Sequence, residues 1–560
     1  MNSFVLIVFA SVSFILGYLF YGRYIARKLG IDPKRETPAH TMTDNVDYVP
    51  AKMPVLLGHH FASIAGAAPI IGPITAAVFG WVPVFLWIVL GSIFLGAVHD
   101  MTSLVASVRH KGQSVGKVIE AYMGERGKQL FLIFAWATLV LVIAAFTIVV
   151  SKTFVATPAV STASILFIFL AIVFGFSVYR MKAGLAVSTV IGVILLLVCV
   201  WFGVKFPLAP SADTAQAQYI WSWILLAYIF VASVTPVWIL LQPRDYLNSF
   251  LLYLVLIGAF VGLLFKHPDV QMPAFAAFVD PKLGSLFPIL FVTVACGAIS
   301  GFHSLVASGT TAKQLNSERD AKPVGYGAML IEGTLAVIAL LTAIILVKSD
   351  YVSHLAAKGP ISVFSAGVGG FVAKLGVPLH VGITFAALAV SAFALTSLDT
   401  ATRLGRFAFQ EFFRTENPNA AQKVLTNRFV ATFFTVLPGG ILALSGSWTA
   451  IWPIFGAANQ LLAALALLAG TVWLARKQKQ NHFLRYPMYF MFAVTLSALV
   501  VLIYKKINLL MQYYSGQAMP QSFGVVSTYF LALIAVLLFI VAIVLVIEAY
   551  QHLKLSKEKA

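Results

Sequence analysis

His59 and His60 stand side by side in an apolar run, residues 54–73, PVLLGHHFASIAGAAPIIGP. Ionisable groups at bilayer depth are expensive, so each one marks a functional hypothesis. The run also holds three glycines and three prolines, and a continuous helix through it loses backbone hydrogen bonds at Pro69 and Pro73. Within lipid, freed amides and carbonyls are tolerated only against protein or a cavity. The expectation is a broken helix whose half-helix dipoles and unwound backbone face a substrate or ion. Ser63, Gly66, Ala67, Pro69 and Gly72 are the candidate substrate contacts, with His59 and His60 as proton carriers. The plainer alternative is a proline-kinked packing helix with its histidines bonded to nearby carbonyls.

A second interrupted stretch is residues 228–246, YIFVASVTPVWILLQPRDY. Ser233, Thr235 and Pro236 fall mid-span and join the candidate substrate contacts, while Arg244 and Asp245 mark its inner end as a gate or a solvated pair. A third stretch, residues 295–311, reads ACGAISGFHSLVASGTT. Gly297 and Gly301 make a small-xxx-small packing face. His303 is a titratable ring, and Ser304, Ser308, Thr310 and Thr311 are hydroxyls able to coordinate sodium or to bond back to their own helix. Asp399 and Arg403 lie four apart, as a gating pair or a pair that neutralises itself. Glu332 is a lone acid in an apolar span, a proton relay or an acceptor for a neighbouring helix. His59, His60, His99, His303 and Cys296 show no i, i+3 or i, i+4 ligand spacing, so no metal or other cofactor is expected.

These groups need a scaffold, and the composition says which. Of 560 residues, 60% are hydrophobic and 10% charged, against about 25% charged in soluble domains. Lipid must be the second solvent. The +18 formal charge is dispersed over short loops, not gathered in a stripe, which argues against nucleic acid. Two cysteines in apolar runs offer no disulfide framework. The first 22 residues lack a basic n-region and read as a retained helix, not a cleaved signal. Spans are expected near 3–22, 53–78, 81–107, 129–150, 163–179, 184–203, 219–241, 247–265, 285–311, 324–347, 379–398, 429–445, 449–473, 483–503 and 525–547. With the N-terminus outside and the C-terminus cytoplasmic, 29 of the 38 Lys and Arg residues lie inside, in line with the positive-inside bias. Phosphate-loop, nucleophile-elbow and HExxH patterns are absent from the sequence, so an enzyme is not expected.

GHHFASIAGAAPIIGP (58–73), TPVWILLQPRDYL (235–247), ACGAISGFHSLVASGTTAKQL (295–315), GYGAML (325–330) and IWPIFGAANQLLA (451–463) together resemble the carbon starvation CstA family. The resemblance runs over roughly residues 50–475. It implies a bacterial inner-membrane secondary transporter of nutrient-poor cells, associated with peptides and pyruvate, with a LeuT-like core of two inverted five-helix repeats. The expected division is an extra N-terminal helix and basic loop (1–52), a first repeat (53–203), a second (204–398), further helices (399–547) and a short tail (548–560). A proton-coupled importer of a small carboxylate or short peptide is the leading expectation, with sodium the second choice of ion. A nutrient sensor or a channel is the alternative. Partners beyond substrate and bilayer, and the oligomeric state, are not legible.

Overall fold

The computed structural model describes residues 2–44, 47–237, 239–415, 417–445, 448–516 and 524–558. Trp238 of the second motif and the last two residues of the tail lie outside these. Among the described residues, thirteen helices are long and apolar enough to cross a membrane, or fourteen with one bent pair taken as a span. The chain is an all-α polytopic membrane protein; among the described residues the only strands form a two-stranded hairpin, Val279–Asp280 with Gly284–Ser285.

In chain order the helices are α1 (Ser3–Leu29), α2 (Met53–Ile64), α3 (Ala68–Phe79), α4 (Trp81–Arg109), α5 (Val115–Ala156), α6 (Pro158–Val178), α7 (Leu185–Lys205), α8 (Thr214–Val234) and α9 (Leu241–Lys266). There follow α10 (Leu286–Thr293), α11 (Gly301–Gly309), α12 (Glu318–Ile344), α13 (Lys348–Val372), α14 (Leu379–Phe413), α15 (Arg428–Ser445), α16 (Trp448–Arg476), α17 (His482–Tyr514) and α18 (Val525–Glu558). The long helices α5 and α14 run along each other at the centre, and α16 packs beside α5. By contrast α7 is largely lipid-facing.

The break expected in the first stretch is present. Helices α2 and α3 meet at 45°, with Pro69 in the first turn of α3 and Pro73 inside it. The second break is elsewhere than expected. Helix α8 runs without interruption from Asp213, whose side chain accepts from the Ala215 amide, to Val234. Its 21 residues rise about 31 Å, already a full crossing. Pro236 therefore follows a helix already long enough to span, and the connection from 235 to 240 leads to α9.

The second true interruption lies within the expected span 285–311, where α10 and α11 are separated by non-helical residues 294–300. Gly297 is in that unwound stretch and Gly301 opens α11, so the two do not share a helix face. Gly301 instead abuts the backbone of Asn459 and Ala463 on α16.

Candidate functional site

The two unwound stretches face each other. A Cβ on Gly72 would sit 2.5 Å from the Thr293 carbonyl oxygen and 3.1 Å from Val294 Cα, so only glycine allows α3 this close. Side chains from distant helices satisfy the freed backbone around 294–300. Trp87 Nε1 donates to the Val294 carbonyl (3.2 Å), Ser92 Oγ to that of Gly297 (3.0 Å) and Gln460 Nε2 to that of Phe291 (2.8 Å). Asn459 Oδ1 accepts from the Phe302 amide at 2.8 Å. Between the breaks lies a cavity of about 10 Å³ bordered by Gly66, Ala68, Phe146, Cys296, Ser397 and Phe455, scarcely room for one water.

One buried cluster lies beside the cavity and packs against α2. Arg244, at the start of α9, pairs with Asp399 of α14 and lies 3.1 Å from Asp245. Its Nη1 also donates to Tyr228 Oη (2.5 Å), which donates to Asp399 Oδ2 (2.7 Å). His59 Nδ1 lies 3.1 Å from Asp245 Oδ2, and Ser63 Oγ donates to the same oxygen at 3.4 Å. Thr396 Oγ1 accepts from Arg244 and Asn248, each at 3.2 Å. Ser397 Oγ donates to the Ser63 carbonyl at 3.1 Å, which joins this cluster to the cavity wall. Burial to 2% for Arg244 and 0% for both aspartates excludes a solvated interfacial pair.

A second cluster lies against the other break. Asp100 of α4 accepts from His99 Nδ1 (2.7 Å) and His303 Nδ1 (2.9 Å), and His303 Nε2 faces Glu332 Oε2 at 3.4 Å. Cys296 Sγ lies 3.3 Å from Ser300 Oγ, and Asn459 Nδ2 lies 3.0 Å from the same hydroxyl.

The remaining expected site residues divide. His60 Nδ1 meets Thr311 Oγ1 at 2.8 Å, so these two do come together. The hydroxyls of Ser304, Ser308 and Thr310 donate to the carbonyls of Gly301, Ser304 and Val306, which is the back-bonding alternative to a sodium site. Ser233 pairs with Thr432 at 3.2 Å, Thr235 Oγ1 donates to Val231, and Pro236 lies in the α8–α9 connection. None of these three borders the cavity. Asp399 and Arg403 do not pair with each other: Arg403 instead donates to the carbonyls of Ala232 and Thr235 at the end of α8, where a cation complements the helix dipole. Outside the spans, Lys313 sits over the rings of Tyr48 and Phe407, at 5.4 and 5.0 Å. Burial lowers its ammonium pKa, with Asp47, Glu411 and Asp44 opposing.

Sequence reading missed Asp100, Tyr228, Asn248, Ser397 and Asn459. Asp100 carried the same signal as His99 beside it, an ionisable group in an apolar span. Asn459 lay in a motif already quoted, with nothing to say which backbone it would serve.

The carbon starvation protein CstA family matches over residues 2–357 and 352–498. The chain belongs to this family. It is 34% identical over 547 residues to the peptide transporter CstA of Escherichia coli (strain K12), covering 85% of this chain and 77% of that one. Against the pyruvate/proton symporter BtsT of the same organism it is 33% identical over 568 residues, with 85% and 78% covered. A peptide transporter CstA of Bacillus subtilis (strain 168) is 33% identical over 531 residues, with 86% and 87% covered. Among solved structures, a manganese transporter of Eremococcus coleocola, in complex with an aromatic bis-isothiourea substituted compound, superposes with a TM-score of 0.50 at 13% identity, covering 91% of this chain and 99% of that one. That likeness concerns fold alone. The relatives of this CstA-family chain carry the names of transporters, not enzymes.

Proposed function

We propose that this CstA-family chain is a secondary importer that moves a small carboxylate such as pyruvate, or short peptides, together with protons. It works in the bacterial inner membrane with its N-terminus outside and its C-terminus cytoplasmic. The observation that carries this reading is the meeting of two broken helices at a small cavity, with the Arg244 cluster beside it. The α3 N-terminus at Ala67–Ala68 has no side-chain cap and borders the cavity, an arrangement suited to a substrate carboxylate. Gly66, Ser397 and the Ser63 carbonyl line the same approach.

Packing supports two inverted halves. Helices α2–α5 with α8 and α9 form one, and α10–α12 with α14–α16 the other. Helix α3 packs on α12 as α11 packs on α4, and α2 on α9 as α10 on α16. The hairpin α6–α7 and helix α13 are then insertions. On this pairing the boundary between halves would lie within 266–286, where the sequence reading put it at 203/204.

Proton coupling fits the Arg244 cluster. Arg244 faces two carboxylates, Asp245 and Asp399, and Arg403 is committed to the α8 carbonyls. His59 and Asp245 meet at 3.1 Å beside Arg244 and Ser63, so a proton delivered to this pair would loosen the hold of Asp245 on Arg244 and Ser63. Proteoliposomes test this reading: an inward proton gradient should drive pyruvate accumulation with sodium absent. Accumulation driven by sodium alone, at clamped pH, contradicts it.

A further inference from the structure

Cys296, His303 and Glu332 come from three places in the chain, the unwound 294–300 stretch, α11 and α12. A ligand atom of each lies within 4.8 Å of the other two, and all three residues are buried. Asp100, an acceptor on both oxygens, fixes the proton of His303 on Nδ1. In the neutral ring, His303 Nε2 then presents its lone pair to Glu332. Among the described residues, neither this nitrogen nor either Glu332 oxygen has a protein hydrogen-bond partner. Two buried acceptors facing each other with no protein donor between them are disfavoured, and a cation bound between them removes that cost. Among the described residues no Lys or Arg forms an ion pair with Asp100, His303 or Glu332.

The spacing fits a metal. Two ligands bound at about 2.05 Å to a tetrahedral zinc stand about 3.3 Å apart, and His303 Nε2 and Glu332 Oε2 are 3.4 Å apart. The Asp100–His303 contact is the carboxylate–histidine support that orients metal-bound imidazoles.

We propose that Cys296, His303 and Glu332 bind one divalent transition-metal ion of the zinc class. A thiolate in the set selects zinc-like ions over magnesium or calcium. On binding, the metal–sulfur bond replaces the Cys296 S–H bond and the thiol proton leaves to water. The ion pins the unwound stretch to α12. Three protein ligands leave one coordination position open, and Cys296 also borders the cavity.

Chelator-stripped, purified full-length protein titrated with Zn²⁺ against a chromogenic competitor should take up one equivalent and gain thermal stability. Titrated with Co²⁺, wild type and Cys199→Ser should both show sulfur-to-cobalt charge-transfer absorption, and Cys296→Ser should not. Glu332→Gln should bind zinc at least tenfold more weakly, and Asp100→Asn about 10–100-fold more weakly. Failure of the folded, stripped wild type to bind zinc saturably overturns the proposal, since only a proton then fills the gap. So does a cobalt–sulfur band that survives in Cys296→Ser, or zinc affinity unchanged in Glu332→Gln.

Discussion

The cluster around Arg244 and the crevice around His303 are both fully buried, and both tie a broken helix to its neighbours. They differ in one respect. The first holds a fixed cation with its guanidinium spread over Asp399, Asp245, Tyr228 and Thr396, whereas the second sets two carboxylates among imidazoles and a thiol. The contrast teaches what each can do. On the proposed mechanism, the cluster with its own cation is the lock that a proton releases, and the cluster without one is the site that takes up a metal ion.

Substitutions can break this contrast. The largest expected effect is from Arg244→Ala, which leaves Asp245 and Asp399 buried without a cation and should cost about 3–5 kcal/mol. Thermal melting in detergent reads the loss, and uptake should fall to background. Arg244→Lys should recover only part of either, because a point charge cannot serve four partners at once.

Next is Gly72→Ala, whose methyl meets the Thr293 carbonyl. Overpacking of this kind costs about 1–3 kcal/mol, and the breaks should no longer close, so uptake drops while the protein still purifies folded. Glu332→Gln reverses the sign. In chelator-stripped protein it removes an unpaired buried carboxylate, so stability should stay within about 1 kcal/mol of wild type or exceed it. A loss as large as that of Arg244→Ala would erase the distinction between the clusters. Smallest is Ser308→Ala, which removes a bond to its own helix worth at most about 1 kcal/mol. Sodium-free uptake should be unaffected; a marked fall restored by sodium would reinstate a sodium site.

Much of the scaffold was legible because a run of apolar residues long enough to cross lipid has few other fates. The first break was legible too, as Pro69 and Pro73 remove helix bonds by their own chemistry. The second was misplaced for a physical reason. Pro236 resembled a mid-span breaker only because the start of α8 was placed too late. Residues 294–300 contain no proline, and they are held open by Trp87, Ser92 and Asn459, partners far away in sequence. The same limit hid the true partners of Asp399. Its spacing to Arg403 pointed along one helix, whereas its charge is met across the bundle by Arg244 and Tyr228. Local spacing reports which side chains share a face, not which face another helix will present.

The central claim is that a proton on the His59–Asp245 pair works the Arg244 lock. Counting protons and pyruvate in the same proteoliposomes, with a pH-sensitive dye and labelled substrate, tests it most directly. Wild type should move protons inward in fixed ratio to pyruvate, and Asp245→Asn should still exchange pyruvate across the membrane while its proton flux vanishes. Proton movement at the wild-type ratio in Asp245→Asn, or wild-type accumulation with no proton flux, would contradict the account.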